Sequence, residues 1–531
     1  MFDDVDFVVV GCFTRVLFHL VFLCNFFTRF IWISWHCDEK DRSHPPPLDR
    51  PLPERSDRLT MAAHSISSQI STIESNPRYD FQLNEELNYL TIRPSHPNVI
   101  LIAPQDGASI TAPYPVEAVV TTFSQAFEVL CQANLDATAA GQERNQWLLI
   151  LVGGTHIDGL GRHIYARVTD LENPENLRVE IVGTQNVRVV FTPTGTAITI
   201  TGHWVFKNLR VFDFREVSDR YGASFRVNGG EIEVDGVKMY GQGPAFFLLR
   251  TGKGKFANSS FAGGVYGVFD ATSSTVFMKN CRVVGEKPDA SLARSKWMTF
   301  IRGGSISASD CHFVTCTPVC LTNAARGIFN SCHFTGTYTA LETKYGIDLR
   351  NGFYPMAIFL QLGSSVGCSR CSFDRFFVGV GMTDDQSSAS LTQCRITRTG
   401  IPLNLQQCRK GSLTHSELSE TACLLLAERC GRGQVECNSN KLASSAQRFF
   451  FTDKSSLNVQ HDVNNAIHVV MSLCCGFKFL AQKISSHAVP FEIIGPEKRD
   501  NLQFLRAKLK NNCGRCNGSD RPVLRNLENS T

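Results

Sequence analysis

The sequence has little net charge. Its 53 lysine and arginine residues are balanced by 49 aspartate and glutamate residues, which leaves a formal charge of +4 over 531 residues. A surface that binds nucleic acid through its phosphates needs a stronger basic excess, so charge alone indicates no direct nucleic-acid site. Charged residues make up 19% of the chain and hydrophobic residues 43%. A chain of this composition can bury a sizeable core.

The sequence also lacks a clear secretion signal and a clean membrane span. Residues 5–36 are apolar, but Arg15, His19 and Arg29 interrupt the run, and a spanning helix tolerates few charges. A signal peptide needs positive charge ahead of its apolar core. This chain carries acidic residues there: Asp3, Asp4 and Asp6.

Residues 1–60 are therefore an extension to which the sequence assigns no role. They end in a proline-rich, charged segment at 44–60, and Met61 then opens a polar, Ser-rich stretch. Translation that starts at Met61 is one interpretation of this pattern, and a membrane-associated segment is another.

The 20 cysteines do not indicate a disulfide framework, because the chain is long and has no clear secretion signal. Their regular spacing predicts buried free thiols in a reducing compartment. Cys513 and Cys516 have the spacing of zinc ligands, and Cys474, Cys475 and His487 could complete a site. A second CxxC or an HxxxH motif at a regular distance is missing. Zinc is therefore an open alternative to a chain without cofactors.

A short phrase recurs between residues 277 and 399: a polar residue, a cysteine, a second polar residue and an apolar residue. Its copies are KNCRVVG at 279–285, SDCHFVT at 309–315, NSCHFTG at 330–336, SRCSFDR at 369–375 and TQCRITR at 392–398. Such alternation predicts short strands that meet at a turn. The cysteine column is Cys281, Cys311, Cys332, Cys371 and Cys394, and the apolar column is Val283, Phe313, Phe334, Phe373 and Ile396.

These cysteines are separated by 30, 21, 39 and 23 residues, and weaker copies on either side are spaced by 22 to 28. A basal period near 22 with insertions predicts a solenoid in which one repeat is one turn. Short runs of Phe, Val, Cys, Ser, Thr, Asn and Gly favour a right-handed parallel β-helix over a leucine-rich repeat. The cysteines would stack in its interior. Inserted loops are expected at 284–297 and 337–355.

We expect an all-β domain over 116–470, with about eleven or twelve coils from residue 160 onward. An apolar strand that ends in a glycine turn precedes these coils at 147–159. A helix ahead of such a strand resembles the entry to pectin-lyase-like β-helices, where the helix covers the open end of the first coil. The helical pattern covers 116–141, with an apolar face made of Val119, Val120, Phe123, Phe127, Val129, Leu130 and Leu135.

The segments on either side of this domain are polar or irregular. Residues 61–115 are expected to be mostly flexible because prolines prevent a long regular element. LNEELNYLTI at 83–92 is the exception, and its spacing is that of a leucine-rich nuclear export signal; the alternative is a helix that packs on the body of the protein. Residues 471–531 form a C-terminal region with the CxxC pair. The residues of the export-type signal are Leu83, Leu87, Leu90 and Ile92.

The coils lack the clustered carboxylates that polysaccharide-cleaving β-helix enzymes need. Asp384 and Asp385 are the one adjacent acidic pair, and neighbouring coils have no acidic counterpart. We interpret this pair as a solvated turn. The Asn-x-Asp, Gly-His-Gly and Arg-x-Lys motifs of polygalacturonases are absent as a set. We therefore expect that the chain is not an enzyme.

Three parts of the sequence carry a family resemblance. They are LNEELNYLTI at 83–92, the cysteine phrases such as SRCSFDR and SDCHFVT, and FLRAKLKNNCGRCNGSDRPVL at 504–524. In this order they resemble the early region 1B large T antigen family of adenoviruses, over about residues 80–525. The related β-helical capsid protein of atadenoviruses shares the expected fold.

The resemblance implies a non-enzymatic viral adaptor. Members of that family bind the host tumour-suppressor transcription factor and, with another viral early protein, recruit a host cullin ubiquitin ligase. They also support export of late viral messenger RNA and shuttle between host nucleus and host cytoplasm, which involves a nuclear export receptor. This chain departs from the family in two ways, since it has no hydrophobic-Lys-x-Glu sumoylation site and its end, LRNLENST, lacks an acidic, Ser-rich tail.

Three functions thus remain open from the sequence. The adaptor agrees best with the export-type signal and the cysteine-bearing C-terminal region. A structural β-helical capsid protein would explain a capped solenoid equally well, and a polysaccharide-degrading enzyme would need carboxylates that the pattern does not provide. The sequence leaves the oligomeric state open, a homo-oligomer included.

Overall fold

In the computed structural model, three parallel β-sheets run side by side, and each turn of the chain adds one strand to each sheet. The described residues belong to one unit, Ile70–Thr531. They are 70–71, 98–104, 115–158, 174–184, 186–191, 198–214, 223–241, 245–263, 267–285, 298–315, 318–336, 356–406, 409–421, 425–428, 435–438, 440–442, 449–453, 457–458 and 468–471.

The first sheet has fifteen strands, whose numbers follow the chain. In spatial order they are Ala118–Val120 (β2), Asn98–Ile102 (β1), Gln146–Leu151 (β3), Arg178–Gly183 (β5), His203–Lys207 (β8), Glu231–Asp235 (β11), Lys253–Ala257 (β14), Thr275–Lys279 (β17), Ser305–Ser309 (β20), Arg326–Asn330 (β23), Ser365–Ser369 (β26), Ser388–Thr392 (β29), Lys410–Thr414 (β32), Val435–Asn438 (β35) and Leu457–Asn458 (β38).

The second and third sheets have twelve strands each. The second contains Gly154–Asp158 (β4), Val187–Phe191 (β6), Arg210–Asp213 (β9), Lys238–Gly241 (β12), Ser260–Gly263 (β15), Arg282–Val284 (β18), His312–Val314 (β21), His333–Thr335 (β24), Ser372–Asp374 (β27), Arg395–Thr397 (β30), Glu417–Ser419 (β33) and Lys441–Leu442 (β36). The third contains Ile198–Ile200 (β7), Ala223–Asn228 (β10), Ala245–Arg250 (β13), Phe269–Thr272 (β16), Thr299–Arg302 (β19), Val319–Thr322 (β22), Met356–Leu360 (β25), Val378–Met382 (β28), Ile401–Gln406 (β31), Leu425–Glu428 (β34), Phe449–Asp453 (β37) and His468–Met471 (β39).

Every third strand along the chain pairs in register with the strand one turn earlier. From β5 to β37 the described strands make eleven complete turns of this kind, which agrees with the number expected. Between the two end strands of each sheet, every strand pairs with parallel neighbours on both sides, as β17 does with β14 and β20. The parallel β-helix expected from the repeat is confirmed.

The interior is filled by side chains that alternate with outward residues along each strand. In the second sheet Phe313, Phe334 and Phe373 stack nearly parallel at centroid distances of 5.0 and 4.9 Å. The third sheet has a similar ladder in Phe225 and Phe247, 5.4 Å apart. Identical rings in register stack one coil above the next, because adjacent parallel strands lie about 4.8 Å apart.

The corner between the first and second sheets is two residues long in every coil from β8 to β36. Its first residue has a left-handed conformation, as in Asn258 (φ 47°), Asn280 (φ 50°) and Asp310 (φ 54°). Asn and Asp adopt this conformation at lower cost than most residues, which explains Asn280 and Asp310 before the first two cysteines of the column. The corner between the second and third sheets varies in length, from Asp374 to Val378 up to Thr335 to Met356. The irregular cysteine spacing arises there.

The helix ahead of the coils is shorter than the sequence pattern suggested. It spans Phe123–Ala139 (α1), and Thr122 caps it by accepting a hydrogen bond from the Gln125 backbone N–H. The expected start at residue 116 was wrong, because Ala118–Val120 pairs with β1 as a strand. Leu135 is also wrongly placed on the buried face, since it is 48% exposed. The buried face does cover the interior, with the Phe127 ring 5.3 Å from that of Trp204.

One strand lies in the segment expected to be flexible. Asn98–Ile102 is buried throughout and pairs with β3, so this part of the interpretation of residues 61–115 was wrong. Prolines at 97 and 104 flank the strand rather than interrupt it. No helix within the described residues is both long and apolar enough to cross a membrane.

Candidate functional site

Several of the predicted site residues lie outside the described residues. They are Leu83, Leu87, Leu90 and Ile92 of the export-type signal, and Cys513 and Cys516 of the zinc alternative. Most of the two expected loops, 286–297 and 337–355, lies outside as well. Their flanking strands show that both connect the second sheet to the third.

The cysteine column lies in the interior, at the corner between the first and second sheets. Its thiols donate hydrogen bonds to the carbonyl oxygen two residues earlier, for example from Cys281 to Lys279 at 3.3 Å and from Cys311 to Ser309 at 3.2 Å. Exposure is at most 2% for each of its members: Cys281, Cys311, Cys332, Cys371 and Cys394.

Serine takes the place of cysteine in coils outside the column. Ser259 Oγ donates to the Ala257 carbonyl at 2.6 Å, and Ser416 Oγ donates to Thr414 at 3.0 Å. Each of these side chains also accepts a backbone N–H from the preceding coil, as Ser259 does from Val237 at 3.1 Å and Cys311 Sγ from Cys281 at 3.5 Å. The column therefore satisfies buried backbone groups at a tight corner, which is a structural role.

The environment of two thiols of the column, Cys311 and Cys332, does not favour reaction. Hydrogen bonding to Cys281 and burial raise the pKa of the Cys311 thiol to about 12. Hydrogen bonds to Cys311 and Cys371, together with burial, also raise the pKa of the Cys332 thiol. Because the thiolate is the nucleophile and the metal ligand, thiols with a raised pKa and no access to solvent are poor at both tasks.

Asp384 organises a turn. Its Oδ1 accepts backbone N–H groups of Gly363, Gln386 and Ser387 at 2.8–3.2 Å, and its Oδ2 accepts the Ser387 hydroxyl at 2.6 Å. These contacts account for the hydrogen-bonding capacity of the carboxylate within the turn. Asp385 is exposed next to it.

A charged cluster on the outer face of the first sheet was missed by the sequence reasoning. Lys255 Nζ lies 2.6 Å from a Glu231 oxygen and 2.5 Å from a Glu233 oxygen. Lys253 Nζ is 3.2 Å from Glu231, and His203 Nε2 is 3.3 Å from Glu233. The five side chains come from β8, β11 and β14, which are neighbours in the sheet.

The charges of this cluster stabilise one another. Burial opposes ionisation of Glu231, but the ammonium groups of Lys255 and Lys253 outweigh it and lower the pKa of the carboxyl. Hydrogen bonds to Glu231 and Glu233 raise the pKa of Lys255. At neutral pH both partners are therefore ionised.

His203, Glu231 and Glu233 bring three possible metal-ligand atoms within 4.8 Å of one another. Imidazole and carboxylate are suitable ligands for zinc. However, the Lys255 ammonium lies between the two carboxylates, where a cation would have to bind. The donor set fits a metal in type, but the lysine supplies the positive charge instead, so we assign no metal to this cluster.

The sequence did contain a signal for this cluster. EIE at 231–233 and KGK at 253–255 each place two like charges on one strand face, and they are separated by 22 residues. Since 22 is the basal period, the two motifs had to lie side by side on adjacent coils. A search for charge alternation at the coil period would have found it.

Further along the same face, small hydroxyl side chains replace most of the charges. Two large apolar side chains, Phe277 in β17 and Ile328 in β23, stand out at 42% and 37% exposure. Both are in register with Ser307, which lies between them in β20. The outward residues around them on these three strands are Thr275, Lys279, Ser305, Ser309, Arg326 and Asn330. Those on the next strands along the sheet are Ser365, Gly367, Ser369, Ser388, Ser390, Thr392 and Thr414.

The outer face of the second sheet carries two stacked histidines. The rings of His312 and His333 are 6.0 Å apart and nearly perpendicular. His312 Nε2 is 3.0 Å from Thr335 Oγ1. Burial, the Arg282 guanidinium and His333 lower the pKa of His312 to about 4, so this histidine is neutral at physiological pH.

A comparison with protein families agrees with this architecture. The family model described as a right-handed β-helix region matches residues 227–471. No curated protein and no solved structure matches the chain. The match covers the strands from β11 to β39 and establishes the fold, a right-handed parallel β-helix as the sequence predicted, without an activity, ligand or partner.

Proposed function

We propose that the chain is a non-enzymatic adaptor of the kind found in the early region 1B large T antigen family. In this role it binds the host tumour-suppressor transcription factor and, with another viral early protein, recruits a host cullin ubiquitin ligase. The observation that carries an interaction role is the outer face of the first sheet around Phe277, Ser307 and Ile328.

This surface has the properties of a protein-binding site. Phe277 in β17 and Ile328 in β23 are separated by one strand, β20. Their side chains therefore project from the same rigid sheet at positions roughly 9–10 Å apart. Aromatic and aliphatic anchors within a polar rim are typical of binding hot spots. The serine side chains of β20 and β26 are short and leave both anchors accessible to a flat partner surface, and Lys279 and Arg326 belong to the polar rim.

The experiment measures binding of the purified full chain to the tumour-suppressor factor and to purified cullin ligase components. We expect Phe277→Ser with Ile328→Ser to weaken that binding at least about tenfold. The matched control is Leu135→Ser, because Leu135 is also an exposed large apolar residue but lies on α1. Unchanged binding in the double variant would remove this surface from the proposal, and no binding by the unaltered chain would overturn the adaptor.

Shuttling between host nucleus and host cytoplasm is part of the same proposal, through an export receptor that captures residues 83–92. Leu87→Ala with Leu90→Ala should trap the protein in the nucleus, since groove-bound helices depend on a few apolar anchors. A lowered melting temperature with unaltered distribution would instead identify a helix that packs on the body.

The structural alternative is a β-helical capsid protein, and the match to the right-handed β-helix region supports the β-helix that this alternative requires. Recovery of the chain in purified virions, without cullin components, would support it.

The enzyme alternative requires clustered carboxylates, and the charged cluster brings Glu231 and Glu233 together. Because Lys255 and Lys253 keep Glu231 ionised, Glu231 is not the protonated acid that glycoside hydrolysis needs. Cleavage of polygalacturonate that Glu231→Gln abolished would reverse this conclusion.

A further inference from the structure

Arginines dominate the outer face of the third sheet. Arg226 lies in β10, Arg250 in β13 and Arg302 in β19, whereas Asp270 in β16 is the one carboxylate in the strands β10, β13, β16, β19, β22 and β25. This part of the face therefore has an excess of positive charge. The corresponding part of the first sheet, by contrast, pairs its lysines with glutamates.

Arg250 and Arg302 both contact Asp270, but only loosely. Arg250 Nη1 is 3.4 Å from Asp270 Oδ1, and Arg302 Nη2 is 3.3 Å from both carboxylate oxygens. Charge-assisted bonds of this type are normally about 2.7–2.9 Å long. One aspartate shared at long distance between two guanidinium groups leaves much of their hydrogen-bonding capacity unused.

The two arginines are nevertheless held in place. Arg250 Nη1 also donates to Thr272 Oγ1 at 2.8 Å, and the Arg302 guanidinium lies over the Phe300 ring at 4.8 Å. Their side chains are 37% and 41% exposed. Arg250 is the last residue of β13 and Arg302 the last residue of β19, and both are in register with Thr272 of β16, which lies between them. Their backbones are therefore two strands, or roughly 9–10 Å, apart.

We propose that Arg250 and Arg302 form a binding site for the oxyanions of an extended acidic segment of a partner protein. In an extended peptide with polyproline II geometry, which has three residues per turn, residues i and i+3 lie on the same face about 9 Å apart, which matches the spacing of the two arginines. Planar guanidinium groups bind carboxylates and phosphates through paired N–H donors. Glutamate, aspartate or phosphorylated side chains at that spacing would each engage one arginine.

Asp270 has a defined part in this site. It keeps both guanidinium groups on the same patch of the sheet while the patch is free, and it competes with the incoming anion for the same donors. Its replacement by Asn therefore has the opposite effect from loss of an arginine, because it removes repulsion and frees N–H groups. If Asp270 and the two arginines formed only a structural ion pair, Asp270→Asn would not tighten binding of the acidic segment.

The test uses the full chain and fluorescently labelled peptides in an anisotropy titration. One peptide carries two glutamates three positions apart in a Gly/Ser background, one carries phosphoserines at those positions, and one carries glutamines. We expect Arg250→Gln with Arg302→Gln to weaken acidic-peptide binding at least about tenfold, and Asp270→Asn to tighten it by roughly three- to tenfold. Arg326→Gln is the control, because Arg326 is an exposed arginine of the first sheet.

Melting curves identify variants that fail to fold, and Arg250→Lys with Arg302→Lys then serves as a second test that keeps the charge. This pair should also weaken binding, since lysine loses the planar fork. Preference for the glutamate or the phosphoserine peptide would identify the source of the oxyanion. Equal binding of the glutamine peptide, equal loss in Arg326→Gln, or no tightening in Asp270→Asn would overturn the site. The two arginines would bind such a segment whether or not the chain binds the adaptor partners.

Discussion

The interior of the corner between the first and second sheets and the outer face of the first sheet are built by the same repeat. The residue types vary little from coil to coil in the interior and vary widely on the outer face. Inside, the seven successive coils from Ser259 to Ser416 place cysteine or serine at one position with the same hydrogen bond to the chain. Outside, the residues change along the sheet from glutamate in β11 to lysine in β14 and serine in β20. The interior is constrained by buried backbone groups that need partners, whereas water satisfies the exterior and leaves it available for binding.

The largest effect is expected from a charge placed in the cysteine column. Cys371→Asp should cost about 5 kcal/mol of unfolding free energy, because an unpaired carboxylate would be buried. Cys371→Ser should cost no more than about 1 kcal/mol, because a serine hydroxyl makes the same hydrogen bonds in neighbouring coils. Urea denaturation measures both. Rapid labelling of the native thiols would show that the column is not interior.

A second pair of variants compares an inward residue of β24 with an outward residue of β23, the strand that precedes it in the chain. Phe334→Ala should cost about 3–4 kcal/mol, since the ring is fully buried between Phe313 and Phe373. Ile328→Ala should change stability by no more than about 0.5 kcal/mol, because Ile328 is exposed. Equal losses in thermal and urea unfolding would contradict the assignment of the two faces.

The third prediction concerns pH on the outer face of the second sheet. His312 has a folded-state pKa of about 4 against an ordinary value of 6.5, so the unfolded chain binds the proton more readily. Stability should therefore fall as pH decreases from 6.5 towards 4, by on the order of 1 kcal/mol after solvent screening. His312→Gln should remove this part of the dependence, and His415→Gln should leave it. An unchanged pH profile in His312→Gln would refute the effect.

The smallest effect is expected in the charged cluster. Lys255→Met should destabilise by about 0.5 kcal/mol at neutral pH, because half-exposed ion pairs contribute little. Glu231 has a lowered pKa when folded, so its contribution is present above the unfolded value near 4.5 and is lost as pH falls below it. The difference between Lys255→Met and the unaltered chain should shrink at acidic pH. A loss above about 2 kcal/mol in urea would mean that the cluster supports the fold more than its exposure suggests.

The sequence by itself determined the repeat, the strand alternation and the interior position of Val283, Phe313, Phe334, Phe373 and Ile396, all fully buried. Strand alternation is local chemistry, because apolar residues at every second position must share one face. It also indicated a helix over the first coil, although Ala118–Val120 became a strand because the edge of β1 offered a partner. Local pattern could not reveal that pairing.

Only the tertiary structure decided which outward residues meet where insertions interrupt the basal period. Glu231 and Lys255 belong to coils one basal period apart, but Arg302 follows the insertion after β18 and reaches Asp270 because the coils stack in register. Insertions between the second and third sheets change the sequence distance between neighbours without changing their distance in space. The periodic interior could therefore be read from the chain, whereas the surfaces on which binding depends required the register of the folded sheets.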